Sequence, residues 1–346
     1  MIRIQNIYYM LAYAFQVLHE KSYMQAATEE FEYASDLFAA ILAKGIANQI
    51  KRGLCRDYIG KVAAINSPVG KINVSASVTQ NSMLKKQLVC NYDEFTENSY
   101  MNKILKTTAM LLIRCPEVSS QHKKALRKTM LYFSNVDEVN PRMIQWSLLR
   151  YHQNNITYKM LLNICYLVIE SMLMTEQDGS LKLARYIDDQ HMHRLYEKFV
   201  LSYYRRHYPQ LNASAAIIDW DVENGEIEYL PAMKSDITLQ YQGKTLIIDT
   251  KYYSRIMQTN SLFNSRTLHS NNIYQIFTYV KNMDFARSGN VIGLLLYAKT
   301  DEEIIPDCDY IISGNRISVK TLDLNANFPY ICKQLNKIVE NLLLNS

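Results

Sequence analysis

The chain has 346 residues, of which 48% are apolar and 21% charged, values typical of a soluble globular protein. Its 10 glycines and 7 prolines exclude a collagen-like or low-complexity chain, and the apolar fraction excludes disorder as the dominant state. The net charge of +5 lies in the first part, since residues 1–180 hold 20 Lys and Arg against 15 Asp and Glu, whereas residues 181–346 hold 18 of each. An ordinary solvated surface accounts for so small a surplus, so charge alone identifies no partner.

The first half of the chain is predicted to be mainly helical with one small β region. From Leu54 to Asn91, short β-branched pieces such as KVAAI and KINVSASV alternate with turn sequences, which indicates strands. The polar segment Thr175–Ser180 is the predicted linker between two domains. Apolar residues at helical spacing predict helices at Ile4–Leu18, Phe31–Arg52, Asn98–Arg114, Gln121–Phe133 and Thr157–Met174.

The second half is predicted to alternate helices and strands in an order that requires a mixed sheet. The expected fold class is therefore α+β or α/β, with a mainly helical N-terminal domain at 1–180 and an α/β domain with a mixed sheet at 181–346. The predicted helices are Gln190–Tyr208, Asn272–Met283 and Tyr330–Leu344, and the predicted strands are Ala215–Val222, Ile237–Tyr241, Thr245–Tyr252, Val291–Ala298, Tyr310–Ile312 and Ile317–Leu322.

Neither a membrane span nor a secretion signal is expected. The longest apolar run, Met160 to Met174, contains Asn163 and Glu170 and falls short of the roughly 18 residues that a spanning helix needs. The N-terminus lacks the charged start and the small-residue cleavage site of a signal peptide. Six scattered cysteines without a CxxC pair predict reduced thiols rather than structural zinc. We therefore expect a cytoplasmic protein.

Two predicted strands flank Gln242-Gly243, a pair suited to a two-residue hairpin loop because Gly readily adopts a positive φ. Counting back from this loop places Asp236 directly opposite Asp249. A symmetric four-residue loop would keep that pairing, and a three-residue loop would shift it by one residue. Like charges that face each other destabilise a sheet. A divalent cation such as Mg²⁺ between the two carboxylates is the expected compensation.

Strand alternation adds a lysine to this pair. Lys251 shares a face with Asp249, whereas Thr250 points to the other side. Two carboxylates and an ammonium suit metal-assisted phosphodiester hydrolysis, in which the metal polarises the phosphate and the lysine orients a water. An acidic-x-Lys triplet alone is more often a surface salt bridge, but the apolar run at 246–248 marks a core strand.

Two helices contribute further candidates. Gln275 and Tyr279 are four residues apart and share a helix face, and Glu197 lies among apolar helix positions, where a solvated charge is the alternative interpretation. Histidines two residues apart on a helix point about 200° apart, which argues against a metal cluster. His191 and His193 have this spacing, and together with His269 they are interpreted as ordinary polar residues or DNA contacts.

Asp236, the Asp-Thr-Lys triplet at 249–251 and Gln275-x-x-x-Tyr279 together resemble the PD-(D/E)xK nuclease superfamily, in the style of RecB-type domains, with the proline displaced to Pro231. More narrowly, the whole chain resembles the McrC family, the nuclease subunits of McrBC modification-dependent restriction systems. The matching pieces are residues 6–15, 52–54 with 57–58, 195–199, 230–237, 247–253, 268–275 and 292–297.

The resemblance implies an Mg²⁺-dependent DNA endonuclease. The expected metal ligands are Asp236, Asp249 and the main-chain carbonyl of Thr250, with Glu197 as a further candidate, and Lys251 stands beside the attacking water. This chain should bind no nucleotide itself, since it contains no GxxxxGK[ST] phosphate loop. The candidate catalytic residues are Asp236, Asp249, Lys251, Glu197 and Gln275.

The resemblance also implies a partner. In that family an AAA+ subunit, McrB, hydrolyses GTP and recognises methylated cytosine, and the N-terminal region of McrC inserts into its hexameric ring and stimulates the GTPase. Residues 1–180 are therefore expected to bind an McrB-like hexamer. The tyrosines Tyr8, Tyr9 and Tyr13 either serve this contact or pack a helical core, as most buried tyrosines do. Cutting both strands of double-stranded DNA needs two active sites, so two nuclease domains are expected to meet.

Two other functions stay open from the residues alone. One is a stand-alone PD-(D/E)xK nuclease of repair or recombination, which a neighbouring AAA+ partner gene would argue against. The other is a DNA-binding or ring-adaptor protein with a degenerate nuclease domain. The intact Asp236, Asp249 and Lys251 argue against degeneracy.

Overall fold

The computed structural model describes residues 2–15, 31–153, 155, 157–177, 189–253, 256–260, 265–299 and 305–344. The chain forms two compact units. The inserted unit comprises residues 32–185, and the main unit comprises residues 1–31 together with 186–346. The predicted division into 1–180 and 181–346 is therefore corrected for the first 31 residues, which belong with the second half of the chain.

Up to residue 177 the chain is mainly helical with one small sheet. The strand predicted over KINVSASV is limited to Lys71–Ile72, because the side chain of Asn73 accepts the Ala76 N–H at 3.0 Å and starts a short helix. The predicted linker at Thr175–Ser180 is helical as far as Gln177, and 178–180 lie outside the described residues. The elements are α1 (Ile4–Phe15), α2 (Ala34–Arg52), β1 (Asp57–Ile65), β2 (Lys71–Ile72), α3 (Val74–Thr79), β3 (Leu88–Thr96), α4 (Tyr100–Arg114), α5 (Ser120–Met130) and α6 (Tyr158–Gln177).

Helices and strands alternate after residue 188. The strand predicted at Ala215–Val222 is limited to two residues, and a hairpin at 257–268 was not predicted. The elements are α7 (Asp189–His207), β4 (Ile217–Ile218), β5 (Met233–Lys234), β6 (Ile237–Tyr241), β7 (Lys244–Lys251), β8 (Met257–Asn260), β9 (Ser265–Leu268), α8 (Ser270–Met283), β10 (Val291–Ala298), β11 (Cys308–Ile312), β12 (Asn315–Leu322) and α9 (Phe328–Val339).

The main unit is built on a five-stranded sheet with the strand order β11–β12–β10–β7–β6. β10 runs parallel to both β7 and β12, whereas β6 and β11 are antiparallel edge strands, so the predicted mixed sheet is confirmed. Every residue of β10 is buried, as expected for a central strand covered on both faces. Tyr241 pairs with Lys244 across the predicted two-residue loop, in which Gln242 and Gly243 have φ values of 46° and 79°.

Helix α1 belongs to the core of the main unit, where it contacts α7. Asn6 donates a hydrogen bond to the Leu324 carbonyl at 2.7 Å, and the ring of Tyr9 stacks on Phe328 with centroids 4.2 Å apart. Tyr13 is 9% exposed and its hydroxyl lies 2.8 Å from a ring nitrogen of an α7 histidine. These contacts favour the core-packing interpretation of the α1 tyrosines, and they explain why the helix groups with distant sequence.

None of the described helices is long and apolar enough to cross a membrane. All six cysteines are free thiols, and three of them are buried. Burial raises the pKa of Cys165 to about 12, so this thiol stays protonated and packs as a small apolar side chain.

Candidate active site

The predicted acidic residues meet at the carboxyl end of β7. Ile237 pairs with Ile248, so Asp236, one residue before this pair, and Asp249, one residue after it, occupy facing positions. The predicted register is therefore confirmed. Leading into the site, the residues of β7 from Leu246 onward are buried, so the charged end of the strand is part of the fold's interior.

Asp249 and Lys251 form a buried ion pair, with Nζ 2.7 Å from Oδ2. Burial raises the pKa of the Asp249 carboxyl to about 7; the Lys251 ammonium lowers this pKa and the Asp236 charge raises it. Burial lowers the pKa of Lys251, but the Asp249 carboxylate outweighs this effect and the pKa is raised. The lysine therefore keeps its charge. The negative charge of Asp249 is disfavoured by burial and by the nearby charge of Asp236.

Oδ2 of Asp249 is nevertheless an incompletely satisfied acceptor. It lies within ion-pair distance of Lys251, yet no described residue directs a well-aligned hydrogen bond to it. The attraction depends on distance, whereas a hydrogen bond also needs alignment with the oxygen lone pairs. The ammonium is therefore close enough for an ion pair but is not aligned with the lone pairs of Oδ2, which leaves a lone pair for another ligand.

Helix α8 fixes Lys251 from the other side. Nζ of Lys251 donates to Oε1 of Gln275 at 2.9 Å, and Nε2 of Gln275 donates to the hydroxyl of Tyr279 at 3.0 Å. The predicted shared face of Gln275 and Tyr279 is confirmed, and it faces the site. This chain of hydrogen bonds limits the positions that the ammonium can occupy.

Side chains satisfy the main-chain groups of Thr250. Oδ2 of Asp236 accepts hydrogen bonds from both the N–H and the hydroxyl of Thr250, each at 2.7 Å. Nε2 of His193 donates to the Thr250 carbonyl at 2.6 Å. Because a carbonyl oxygen has two lone pairs, the predicted ligand atom keeps one for a further contact.

Sequence reasoning missed the place of His193, which it interpreted as an ordinary polar residue or a DNA contact. The relevant spacing is the four residues that separate His193 from Glu197, since this spacing puts both on one face of α7. Burial raises the pKa of the Glu197 carboxyl, the charge of Asp236 raises it further and His193 lowers it. Glu197 therefore lies in the electrostatic environment of the acidic pair.

The donor atoms suit a hard cation. Carboxylate oxygens of Asp236 and Asp249 and the carbonyl of Thr250 are the ligand types that Mg²⁺ takes, usually one or two carboxylates completed by water and substrate phosphate. Within the described ranges, no three His, Cys, Asp or Glu side chains converge as a metal-binding group. A cation here would therefore depend on main-chain oxygen, water and substrate in addition to the two aspartates.

Comparison with known proteins gives a consistent result. A family model described as McrBC 5-methylcytosine restriction system component matches residues 4–298. The chain is 25% identical to the Type IV methyl-directed restriction enzyme EcoKMcrBC of Escherichia coli K12, over 99% of this chain and 98% of that protein.

Two of the solved structures that match this chain come from Thermococcus gammatolerans. One is a half-complex refined from a tetradecameric assembly of McrB AAA+ hexamers with bound McrC, where the TM-score is 0.54 at 14% identity over 98% of this chain and 76% of the matched chain. The other is the cryo-EM structure of the McrBC complex, with a TM-score of 0.43 at 17% identity over 59% of this chain and 58% of the matched chain. The first of these supports the fold.

Proposed function

Because the chain belongs to the family of McrBC 5-methylcytosine restriction system components, we propose that it is the nuclease subunit of a modification-dependent restriction system. The proposed reaction is Mg²⁺-dependent hydrolysis of double-stranded DNA that carries methylcytosine. The proposed partner is an AAA+ GTPase whose GTP hydrolysis this chain stimulates. Support comes from the Escherichia coli relative, a methyl-directed restriction enzyme, and from the similar structure, which contains McrB AAA+ hexamers with bound McrC.

The buried Asp249–Lys251 pair opposite Asp236 is the observation that carries the nuclease proposal. Burying charges costs free energy, and well-packed apolar residues of similar volume are often as stable or more so. A carboxylate with a shifted pKa at the end of a core strand is therefore better explained by a catalytic role than by a contribution to stability. The same pattern leads us to assign the main unit to the PD-(D/E)xK superfamily.

Mg²⁺ would be held by Asp236, Asp249 and the Thr250 carbonyl, with Glu197 as a further ligand directly or through water. When bound, the ion supplies Lewis-acid stabilisation of the phosphate and lowers the pKa of a bound water. The buried Oδ2 of Asp249, whose partner among the described residues is the Lys251 ammonium at 2.7 Å, keeps lone-pair capacity for a cation and supports this assignment. So does the raised pKa of the same carboxyl, because a cation would stabilise its charged form against burial and against the facing charge of Asp236.

Lys251 is the proposed partner of the attacking water. Its raised pKa keeps the ammonium charged, so it can orient the water and stabilise negative charge that develops on the phosphate. Gln275 positions this ammonium through the 2.9 Å hydrogen bond, and Tyr279 in turn holds the Gln275 amide. His193 fixes the direction of the Thr250 carbonyl.

We place the partner-binding surface in the inserted unit rather than across 1–180, since α1 packs in the main unit. The small sheet of the inserted unit exposes large apolar side chains, with Tyr58 69%, Val62 63% and Phe95 54% exposed. Tyr58 and Phe95 are cross-strand partners whose ring centroids lie 4.9 Å apart. Clustered apolar exposure of this kind marks interaction sites.

A double-strand cut also needs two active sites. We propose that the main units of two complexes meet as a dimer when they cleave, because a twofold pair presents the same site to each strand.

The purified chain together with its AAA+ partner should cut methylated plasmid DNA when both Mg²⁺ and GTP are present. Gel separation of supercoiled and linear plasmid measures this, with unmethylated plasmid, omission of GTP and chelation of Mg²⁺ as the controls that should leave the plasmid intact. Metal-dependent cutting by the chain alone, regardless of methylation and GTP, would instead indicate a stand-alone nuclease. No cutting under any condition would favour a DNA-binding adaptor.

Replacing both Tyr58 and Phe95 by Ser in the full-length chain should lower its stimulation of the partner's GTPase at least about tenfold. Burying one large apolar side chain contributes about 1.5–3 kcal/mol, and both rings would be lost from the interface. GTP hydrolysis measured against the concentration of this chain checks the expectation. Met143→Ser, which removes an apolar side chain that is 75% exposed outside the small sheet, is the matched control. Stimulation equal to that of the wild type would show that the small sheet is not part of the partner interface.

A further inference from the structure

The two compact units carry net charges of opposite sign. The inserted unit holds 20 Lys and Arg against 12 Asp and Glu, and the main unit holds 18 against 21. The candidate active site therefore belongs to the unit with a net negative charge, although its proposed substrate is a polyanion. Nonspecific affinity for DNA comes from cations that neutralise phosphates. The inserted unit is where such cations are in excess.

Helix α5 has four basic residues and no acidic one, which is half of the excess of basic over acidic residues in the inserted unit. Lys124, Arg127 and Lys128 are exposed, and their spacing of three and four residues puts them on one face. Tyr132, which is 60% exposed, follows one turn later. The opposite face is anchored by Leu126, which is fully buried. We call Lys124, Arg127 and Lys128 the α5 cations.

The α5 cations share one helix face and lack acidic partners, unlike several other cations of the inserted unit. Arg56, Lys61 and Lys103 each form a salt bridge, with nitrogen–oxygen distances of 2.8, 3.0 and 3.2 Å. The side chains of the α5 cations make neither an ion pair nor a hydrogen bond with any residue that the structure describes. Like charges at this helical spacing repel one another. An external polyanion would relieve that repulsion.

We propose that the exposed basic face of α5 binds the phosphate backbone of double-stranded DNA outside the cleavage site. The proposal rests on the proposed function in taking DNA as the substrate. Lys and Arg donate to phosphate oxygens without reading sequence, and a neighbouring Tyr can donate in the same way. Protein interfaces are depleted in Lys at their centre, so a face with two lysines among three cations fits phosphate better than a protein partner. The surface adds affinity for any duplex, methylated or not.

The test compares the full-length wild type with the triple variant Lys124→Ala/Arg127→Ala/Lys128→Ala. Binding of a labelled duplex oligonucleotide is measured by fluorescence anisotropy in EDTA over a range of salt concentrations, without the AAA+ partner. Losing up to three phosphate contacts should reduce the slope of log affinity against log salt by about 2–3, and should weaken binding at low salt at least about tenfold. Because the assay contains no metal, its result does not depend on whether the chain cleaves DNA.

Two matched variants separate the α5 face from net charge. Lys51→Ala/Lys71→Ala/Lys85→Ala removes three other exposed lysines of the inserted unit and should bind almost as the wild type does. Lys124→Arg/Arg127→Lys/Lys128→Arg keeps the charge and should retain the affinity. Alanine favours helix, so the α5 variant should keep the circular dichroism spectrum and melting temperature of the wild type.

Several results would overturn the proposal. These are an unchanged salt slope in the α5 variant, an equal loss in the two alanine variants, or a wild type that binds no duplex. Unchanged DNA binding combined with lost stimulation of the AAA+ partner would make α5 a protein interface instead.

Discussion

Asp249→Asn and Lys251→Ala should each reduce DNA cleavage by at least about a thousandfold, since each removes a charge that the proposed hydrolysis uses directly. Asn is close in size to Asp but lacks the charge that would bind a cation between the facing positions. Ala removes the ammonium that Gln275 holds at 2.9 Å. Single-turnover cleavage of methylated DNA, with the AAA+ partner, Mg²⁺ and GTP at saturation, measures the loss.

The fold and the partner contact should survive these changes. Asp323→Asn is the matched control, because it removes one carboxylate of a more exposed ion pair with Lys299 in the same unit. It should cut at a rate close to that of the wild type, since exposed ion pairs contribute only about 0–1 kcal/mol. Added Mg²⁺ should raise the melting temperature of the wild type but not that of Asp249→Asn. Wild-type cleavage by either active-site variant would contradict the assignment.

Gly293→Ala should destabilise the main unit by about 1–3 kcal/mol, the usual cost of overpacking a core. Gly293 lies in the central strand β10 under helix α8, and an added Cβ would lie 2.8 Å from side-chain atoms of Ile276 and Val280 and 2.9 Å from Ile317. Three contacts at once leave little room for relaxation. Thermal unfolding followed by circular dichroism should show a transition several degrees lower.

The same substitution should also slow cleavage, by about tenfold, because α8 carries the residue that positions Lys251. Ile276 directly follows Gln275, so a helix pushed off the sheet lengthens the 2.9 Å hydrogen bond to the ammonium. Small misplacements at a reacting centre are costly. Gly60→Ala in β1 is the matched control for the melting measurement, since its added Cβ has one neighbour, at 3.8 Å. If Gly293→Ala leaves the melting temperature and the cleavage rate unchanged, the close packing of α8 on Gly293 does not set the position of that helix.

The central part of the site was predictable because it depends on short-range geometry. The hairpin loop sets the register of its two strands, so the opposition of Asp236 and Asp249 follows from the sequence around Gln242-Gly243. The spacing of Gln275 and Tyr279 likewise fixes a shared helix face. What could not be predicted is that this face meets Lys251, because that contact depends on how α8 packs across the sheet.

His193 shows why part of the site could not be predicted from the sequence. Its ring lies against the Thr250 carbonyl, 57 positions away in the chain, only because α7 packs near the end of β7. No local pattern encodes that contact. The spacing to Glu197 was available as a signal, but it acquires meaning only once the face of α7 that meets the site is known.

The sequence by itself determined the helices, most strands and the hairpin register, because each depends on neighbours within one turn or one hairpin. The mixed sheet followed from the order in which helices and strands alternate along the chain. Only the tertiary structure decided that α1 belongs to the main unit, through contacts such as that of Asn6 with the Leu324 carbonyl. It also decided that the two units differ in the sign of their net charge. Divided at residue 180, the second half of the chain is neutral, whereas the main unit defined by the structure has more acidic than basic residues. Domain membership and local charge depend on which distant segments bury their apolar surfaces together, and hydrophobic burial has no fixed distance along the chain.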